Sequence, residues 1–173
     1  MDLTRRDALT ALGGLGLAAT ALFEGASPDT GALDSEDIEC LVALSETLYP
    51  SHVAVKSDFI ETYVAGQREL DPQYTTRIAS ALLRIRQASK RQTGRPLTDL
   101  GPTTRGEVLR SMGVARAYPD PEGTDVQRTR YYIVNNLLYA LYTTPKGAEL
   151  VGNPNPPGHP GGTNAYQGVS TDE

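Results

Sequence analysis

Residues 125–142 read DVQRTRYYIVNNLLYALY and lead into the Gly/Pro-rich run LVGNPNPPGHPGGTNAY at 150–166. Val126, Ile133, Leu137, Ala140 and Leu141 recur at the three-to-four-residue spacing of a helix's buried face. Tyr131, Tyr132, Tyr139 and Tyr142 extend that face, which predicts one central helix over 125–142. Thr143, Thr144 and Pro145 should stop it, because proline has no amide donor and pushes the residue before it out of helical geometry. Beyond that point the reading expects neither helix nor central strand.

The whole chain is 173 residues, enough for one domain with appendages and a core of its own. Its 16 basic and 21 acidic residues leave it with a net charge of −5. That balance argues against nucleic-acid binding, which needs a basic face to neutralise phosphates. Cys40 is the one cysteine, so neither an intramolecular disulfide nor a thiolate-held iron–sulfur cluster has a second ligand here. Placed between Ile38 and Leu41, it reads as a small buried apolar residue. His52 and His159 lie in different segments without a carboxylate pair at ligand spacing, and no metal site is expected.

Arg5 and Arg6 precede an uncharged stretch, Ala8–Phe23, that is rich in Ala, Leu and Gly. It is shorter than the roughly 20 residues a membrane-spanning helix needs and reads as an export segment. The consecutive arginines resemble a twin-arginine signal, the address of a translocase that carries folded proteins. Gly13, Gly14 and Gly16 would weaken a structural helix here, and the reading ranks an ordinary amphipathic amino-terminal helix second. Candidate cleavage points follow Ala19-Thr20-Ala21 or Gly25-Ala26, and an uncleaved segment would serve as a tether. The expected organisation is an export signal over 1–26, a linker over 27–33, a helical domain over 34–150 and an extended tail over 151–173.

Within the domain, Ser35 is the expected cap of a first helix running to Tyr49-Pro50, and Ser57 or Asp58 that of a second, with Gly66 as its weak point. Asp71-Pro72 opens a long third helix, and Gly94-Arg95-Pro96 ends it. Arg77, Arg84, Arg86, Lys90 and Arg91 form a basic stripe on that helix, read as a solvated face. Thr104-Arg-Gly-Glu107 has the capping-box pattern of a fourth helix. No stretch alternates with period two, so the fold class is all-α: about five helices in a bundle-like or orthogonal array with an extended Gly/Pro-rich tail.

No nucleophile elbow is present, and Gly13-Gly14-Leu15-Gly16 has no strand before it, so it is no dinucleotide fingerprint. The carboxylates Glu61, Glu69, Glu107 and Glu122 are scattered, and His159 has no orienting carboxylate nearby in sequence. In the tail, Leu150, Val151, His159 and Tyr166 are spaced as anchors of a strap, and proline stiffening lowers the entropy lost on docking. Gly168–Glu173 is expected to be disordered.

The chain resembles the gluconate 2-dehydrogenase subunit 3 family, small subunits of FAD-dependent, membrane-associated sugar and polyol dehydrogenases. The likeness rests on Arg5-Arg6, on the first helix ending in Leu48-Tyr49-Pro50, and on the tyrosine-rich helix leading through Lys146-Gly147 to Gly152-Asn153-Pro154. It implies a non-catalytic subunit that binds no cofactor itself and assists folding, twin-arginine co-export or membrane attachment of a large flavoprotein subunit carrying FAD. A cytochrome or other electron carrier and the twin-arginine translocase are further implied partners, and the implied location is periplasmic or extracytoplasmic and membrane-associated. No catalytic residue carries over. The residues expected to meet the partner are Tyr131, Tyr132, Tyr139, Gly152, Asn153, Pro154, His159 and Tyr166. The alternative reading is a free-standing exported helical interaction module.

Overall fold

The computed structural model describes residues 1–13 and 33–153, and this body is all-α. In chain order it comprises β1 (Asp2–Leu3), α1 (Arg5–Gly13), α2 (Ser35–Leu48), β2 (Ala54–Val55), α3 (Ser57–Leu70), α4 (Tyr74–Thr93) and α5 (Pro102–Ser111). A 3-10 turn (Val114–Arg116), α6 (Asp125–Thr129), a π-helical turn (Arg130–Asn135), α7 (Asn136–Tyr142) and α8 (Pro145–Glu149) complete it. The linker residues 27–32, the cleavage candidates and the tail from Pro154 lie outside the described residues.

Local chemistry explains where the helices begin and end. Asp34 rather than Ser35 caps α2, its carboxylate accepting the Asp37 amide at 2.7 Å while the Asp37 carboxylate accepts the Asp34 amide in return. Lys56 precedes α3 without a side-chain cap. Gly94 ends α4 in the left-handed conformation, at φ 73°. The capping box expected at Thr104 is absent, because α5 starts two residues earlier with Pro102 in its first turn. Arg105, inside that expected box, is instead a buried staple. Its guanidinium donates to the carbonyls of Ala43 (2.9 Å), Leu97 (3.3 Å) and Thr98 (3.2 Å) and to Glu46 (2.9 Å), joining α2 to the loop before α5.

The core is one cluster in which Leu44, Phe59, Ile60, Leu82, Ile85, Ile133 and Leu141 are fully enclosed. Residues from the amino terminus belong to it. The reading that starts the folded domain at Asp34 differs from the structure here, since Leu3, Ala8 and Ala11 are completely buried. β1 pairs in parallel with β2, the Met1 amine donates to the His52 carbonyl at 3.0 Å, and Lys146 donates to the Asp2 carbonyl at 2.6 Å. α1 lies along α3, and Gly66 is what lets it approach, because a Cβ there would overlap the Leu12 side chain. Gly66 therefore neither ends nor frays α3; its missing side chain is the seat for Leu12. Arg5, Arg6 and Leu9 face solvent on the other side.

The basic stripe of α4 is stitched into the molecule more than it is solvated. Arg77 pairs with Asp71 (3.1 Å), Arg84 with Asp125 (3.1 Å) and Arg86 with Asp37 (2.8 Å), while Lys90 and Arg91 are exposed. Cys40 is buried and accepts the Arg86 Nε–H at 3.3 Å; burial pushes its thiol pKa upward. Among the described residues no helix is long and apolar enough to cross a membrane.

Candidate partner-binding surface

The central helix forms over 125–142, but it is not uniform. Thr124 caps it through a box with Gln127, and the turn Arg130–Asn135 then widens into a π-helix before α7 resumes. A widened turn advances the helical phase, so Tyr132, Ile133 and Val134 are buried in succession, which no regular 3.6-residue stripe produces. Leu137, Ala140 and Leu141 then carry the buried face onward, as the spacing predicts.

The four tyrosines of this helix consequently divide. Tyr132 is 3% exposed, whereas Tyr131, Tyr139 and Tyr142 are 38–40% exposed and look outward. Two expectations need correcting: Tyr131, Tyr139 and Tyr142 do not broaden the buried face, and Tyr132 is not available to a partner. The π-helical turn separates neighbours that a sequence pattern groups together.

Tyr132 belongs to a tyrosine layer beneath the surface. Its ring meets Tyr131 edge to face at 4.9 Å and Tyr74 at 6.5 Å. Arg77 donates to its hydroxyl at 3.1 Å and stands 5.9 Å from its ring centre. The Asn136 side-chain oxygen accepts the Tyr74 hydroxyl at 3.0 Å and the Tyr63 hydroxyl at 3.4 Å, while its amide nitrogen donates to the Tyr131 carbonyl at 2.8 Å. The Tyr49 hydroxyl donates to the Leu137 carbonyl at 2.6 Å. Burial pushes the hydroxyls of Tyr49, Tyr63 and Tyr74 far above the usual tyrosine range, so they serve as neutral donors. Burial also raises Tyr132, with Arg77 opposing it.

Above this layer lies a shallow concavity of about 460 Å³ lined by Tyr131, Asn135, Asn136, Leu138, Tyr139 and Tyr142. Its lining is aromatic, amide and aliphatic, with no ionisable side chain other than the tyrosines. Such a surface supplies apolar area with hydrogen-bonding edges, the composition of a binding face. Asn135, Asn136 and Leu138 are members that the sequence reading leaves out. The signal for them was present as two adjacent amides inside an otherwise apolar helix.

The corner after α7 sets where the tail departs. Pro145 does not end helical structure here; with Thr144 as cap it opens the short α8, which corrects the expectation of a purely extended continuation. The Thr144 hydroxyl accepts the Gly147 amide at 3.0 Å and donates to the Leu141 carbonyl at 2.7 Å. Gly147 is required by closeness, since a Cβ would run into the Leu141 carbonyl. Gly152, at φ 75°, then turns the backbone so that the Asn153 amide reaches the Ala148 carbonyl at 3.0 Å. Gly152 and Asn153 are exposed at the tail's root. Pro154, His159 and Tyr166 lie outside the described residues.

Two other places were weighed for chemistry. A groove of about 710 Å³ between the end of α2, the 50–55 loop and α5 holds Glu46 and Arg110, but Glu46 is already paired with Arg105. Among the described residues no group of three His, Cys, Asp or Glu side chains is placed to hold a metal ion. No family model matches the chain, and neither a curated protein nor a solved structure matches it.

Proposed function

We propose that this chain is the non-catalytic small subunit of an exported FAD-dependent sugar or alcohol dehydrogenase, and that it docks the flavin-carrying subunit through the outward tyrosine face of α7. The observation that carries this reading is the division of the tyrosines: Tyr131, Tyr139 and Tyr142 stand exposed on a rigid layer of buried, hydrogen-bonded tyrosines. Aromatic side chains held in place from behind contribute contact area with little further entropy to lose, which suits a binding face. The resemblance carried by Arg5-Arg6, Tyr49-Pro50 and Lys146-Gly147 through Gly152-Asn153 supplies the partner's chemistry. Arg5 and Arg6 are solvent-facing on α1, where a translocase has access to them. A folded pair exported on one signal would bring the flavoprotein with it.

The test is mild affinity purification of the full chain from its own cell envelope, with the eluate read for flavin absorbance and for a large co-purifying chain. The expected result is a flavoprotein that accompanies the chain and stays behind when Arg5 and Arg6 are both replaced by lysine. A colourless chain eluting alone would overturn it. One observation favours the second reading, a self-contained helical interaction module: Met1–Gly13 is packed into the core as a structural element. On that reading the same purification yields a stable single species whose melting temperature falls when Leu3 is replaced by Ser.

A further inference from the structure

We infer that the chain's own tail, Pro154–Tyr166, occupies the tyrosine face of α7 in the isolated protein, and that a partner gains the face by displacing it. The inference rests on the proposed role of this face as a docking surface and adds what covers it beforehand. Proline-rich segments recognise surfaces of this composition, because a preformed polyproline helix lays its flat rings on aromatic side chains with little entropy lost. Residues 154–160 read PNPPGHP, and the concavity offers Tyr131, Tyr139 and Tyr142 with the amides of Asn135 and Asn136 between them.

Geometry brings the two together. The described chain ends at Asn153, one short helix beyond Tyr142, in a corner made tight by Gly147 against the Leu141 carbonyl and turned by Gly152. From Tyr131 to Tyr142 the helix advances roughly 17 Å at 1.5 Å per residue. A polyproline segment rises about 3.1 Å per residue, so about six residues cover that length and 154–166 has ample reach. Charge agrees as well. From Leu150 to Thr171 the sequence carries no charged residue apart from His159, and the face has no carboxylate, ammonium or guanidinium in its lining. Neither side has to desolvate an unpaired ion on contact.

Tyrosine nitration of the full-length protein, without any flavoprotein present, tests this directly. Tyr118 is 81% exposed and belongs to a different loop, so it serves as the internal standard. The native chain is compared with a full-length variant carrying Pro154→Ala, Pro156→Ala, Pro157→Ala and Pro160→Ala, each site quantified by mass spectrometry. A tethered segment has an effective concentration in the millimolar range, so a free-peptide dissociation constant of about 0.1 mM gives about tenfold protection. The expected result is therefore that Tyr131, Tyr139 and Tyr142, relative to Tyr118, react about tenfold faster in the variant. Equal rates in the two proteins would overturn the inference. So would protection that persists in the variant and fades on dilution, because a second copy of the chain would then be the cover. Since no partner is present, this outcome is independent of whether a flavoprotein co-purifies.

Discussion

Tyr131 and Tyr132 are adjacent in sequence and make an edge-to-face pair, yet one is exposed and the other is enclosed. The same contrast runs through the whole set. Tyr49, Tyr63, Tyr74 and Tyr132 spend their hydroxyls on interior partners, while Tyr131, Tyr139 and Tyr142 present theirs to solvent. The difference teaches that a tyrosine's role here is set by the partner its hydroxyl finds, and that the buried layer is what makes the exposed one stiff.

Alkali should break the comparison most strongly. Unfolded tyrosines lose their protons near pH 10, whereas Tyr49, Tyr63 and Tyr74 hold theirs well beyond it. Above that pH the unfolded state binds fewer protons than the folded one, so stability falls as pH rises, and it is unaffected below. Each of the three contributes a slope of about 1.4 kcal/mol per pH unit until its own folded value is reached. Urea unfolding at stepped pH checks this, and a midpoint that stays level from pH 9 to about 11 would contradict it.

Truncating the layer comes next. Tyr74→Ala removes a buried ring and should cost about 3–5 kcal/mol in urea unfolding, comparable with other buried aromatic truncations. Asn136→Ala should cost about 1–3 kcal/mol, because it leaves the Tyr74 hydroxyl buried without its acceptor. Tyr74→Phe in that background should recover part of the loss, since the orphaned hydroxyl is gone; additivity of the two changes would show that they are not partners.

The smallest effect sharpens the other side. Tyr139→Ser should change stability by no more than about 0.5 kcal/mol, the usual range for an exposed position. Under the proposed function it should nevertheless weaken capture of the flavoprotein in the same purification that retains the native pair. A Tyr139→Ser chain that unfolds markedly earlier would place this ring in the core instead.

Much of the fold was legible from periodicity and punctuation. The long α4 from Asp71-Pro72 to Gly94, the end of α2 at Tyr49-Pro50 and the helical run over 125–142 follow from local rules, because proline and glycine act on the backbone wherever they occur. The misread positions share a different character. Arg105 looked like part of a cap and is a buried staple, Gly66 looked like a helix end and is a seat for Leu12, and Thr144-Pro145 looked like a stop and opens α8. Each depends on a contact made by a residue that local pattern does not weigh.

What the sequence by itself determined is the all-α class, the helix that carries the tyrosines and the uncharged, proline-rich character of the tail. Those follow from hydrophobic spacing and side-chain chemistry, which need no partner to act. Only the tertiary structure decided which tyrosines face outward and that residues 1–13 belong to the packed body. Both are matters of phase and proximity. One widened turn at Arg130–Asn135 shifts which side chains meet the core, and the fit of Leu12 over Gly66 exists only once α1 and α3 lie side by side.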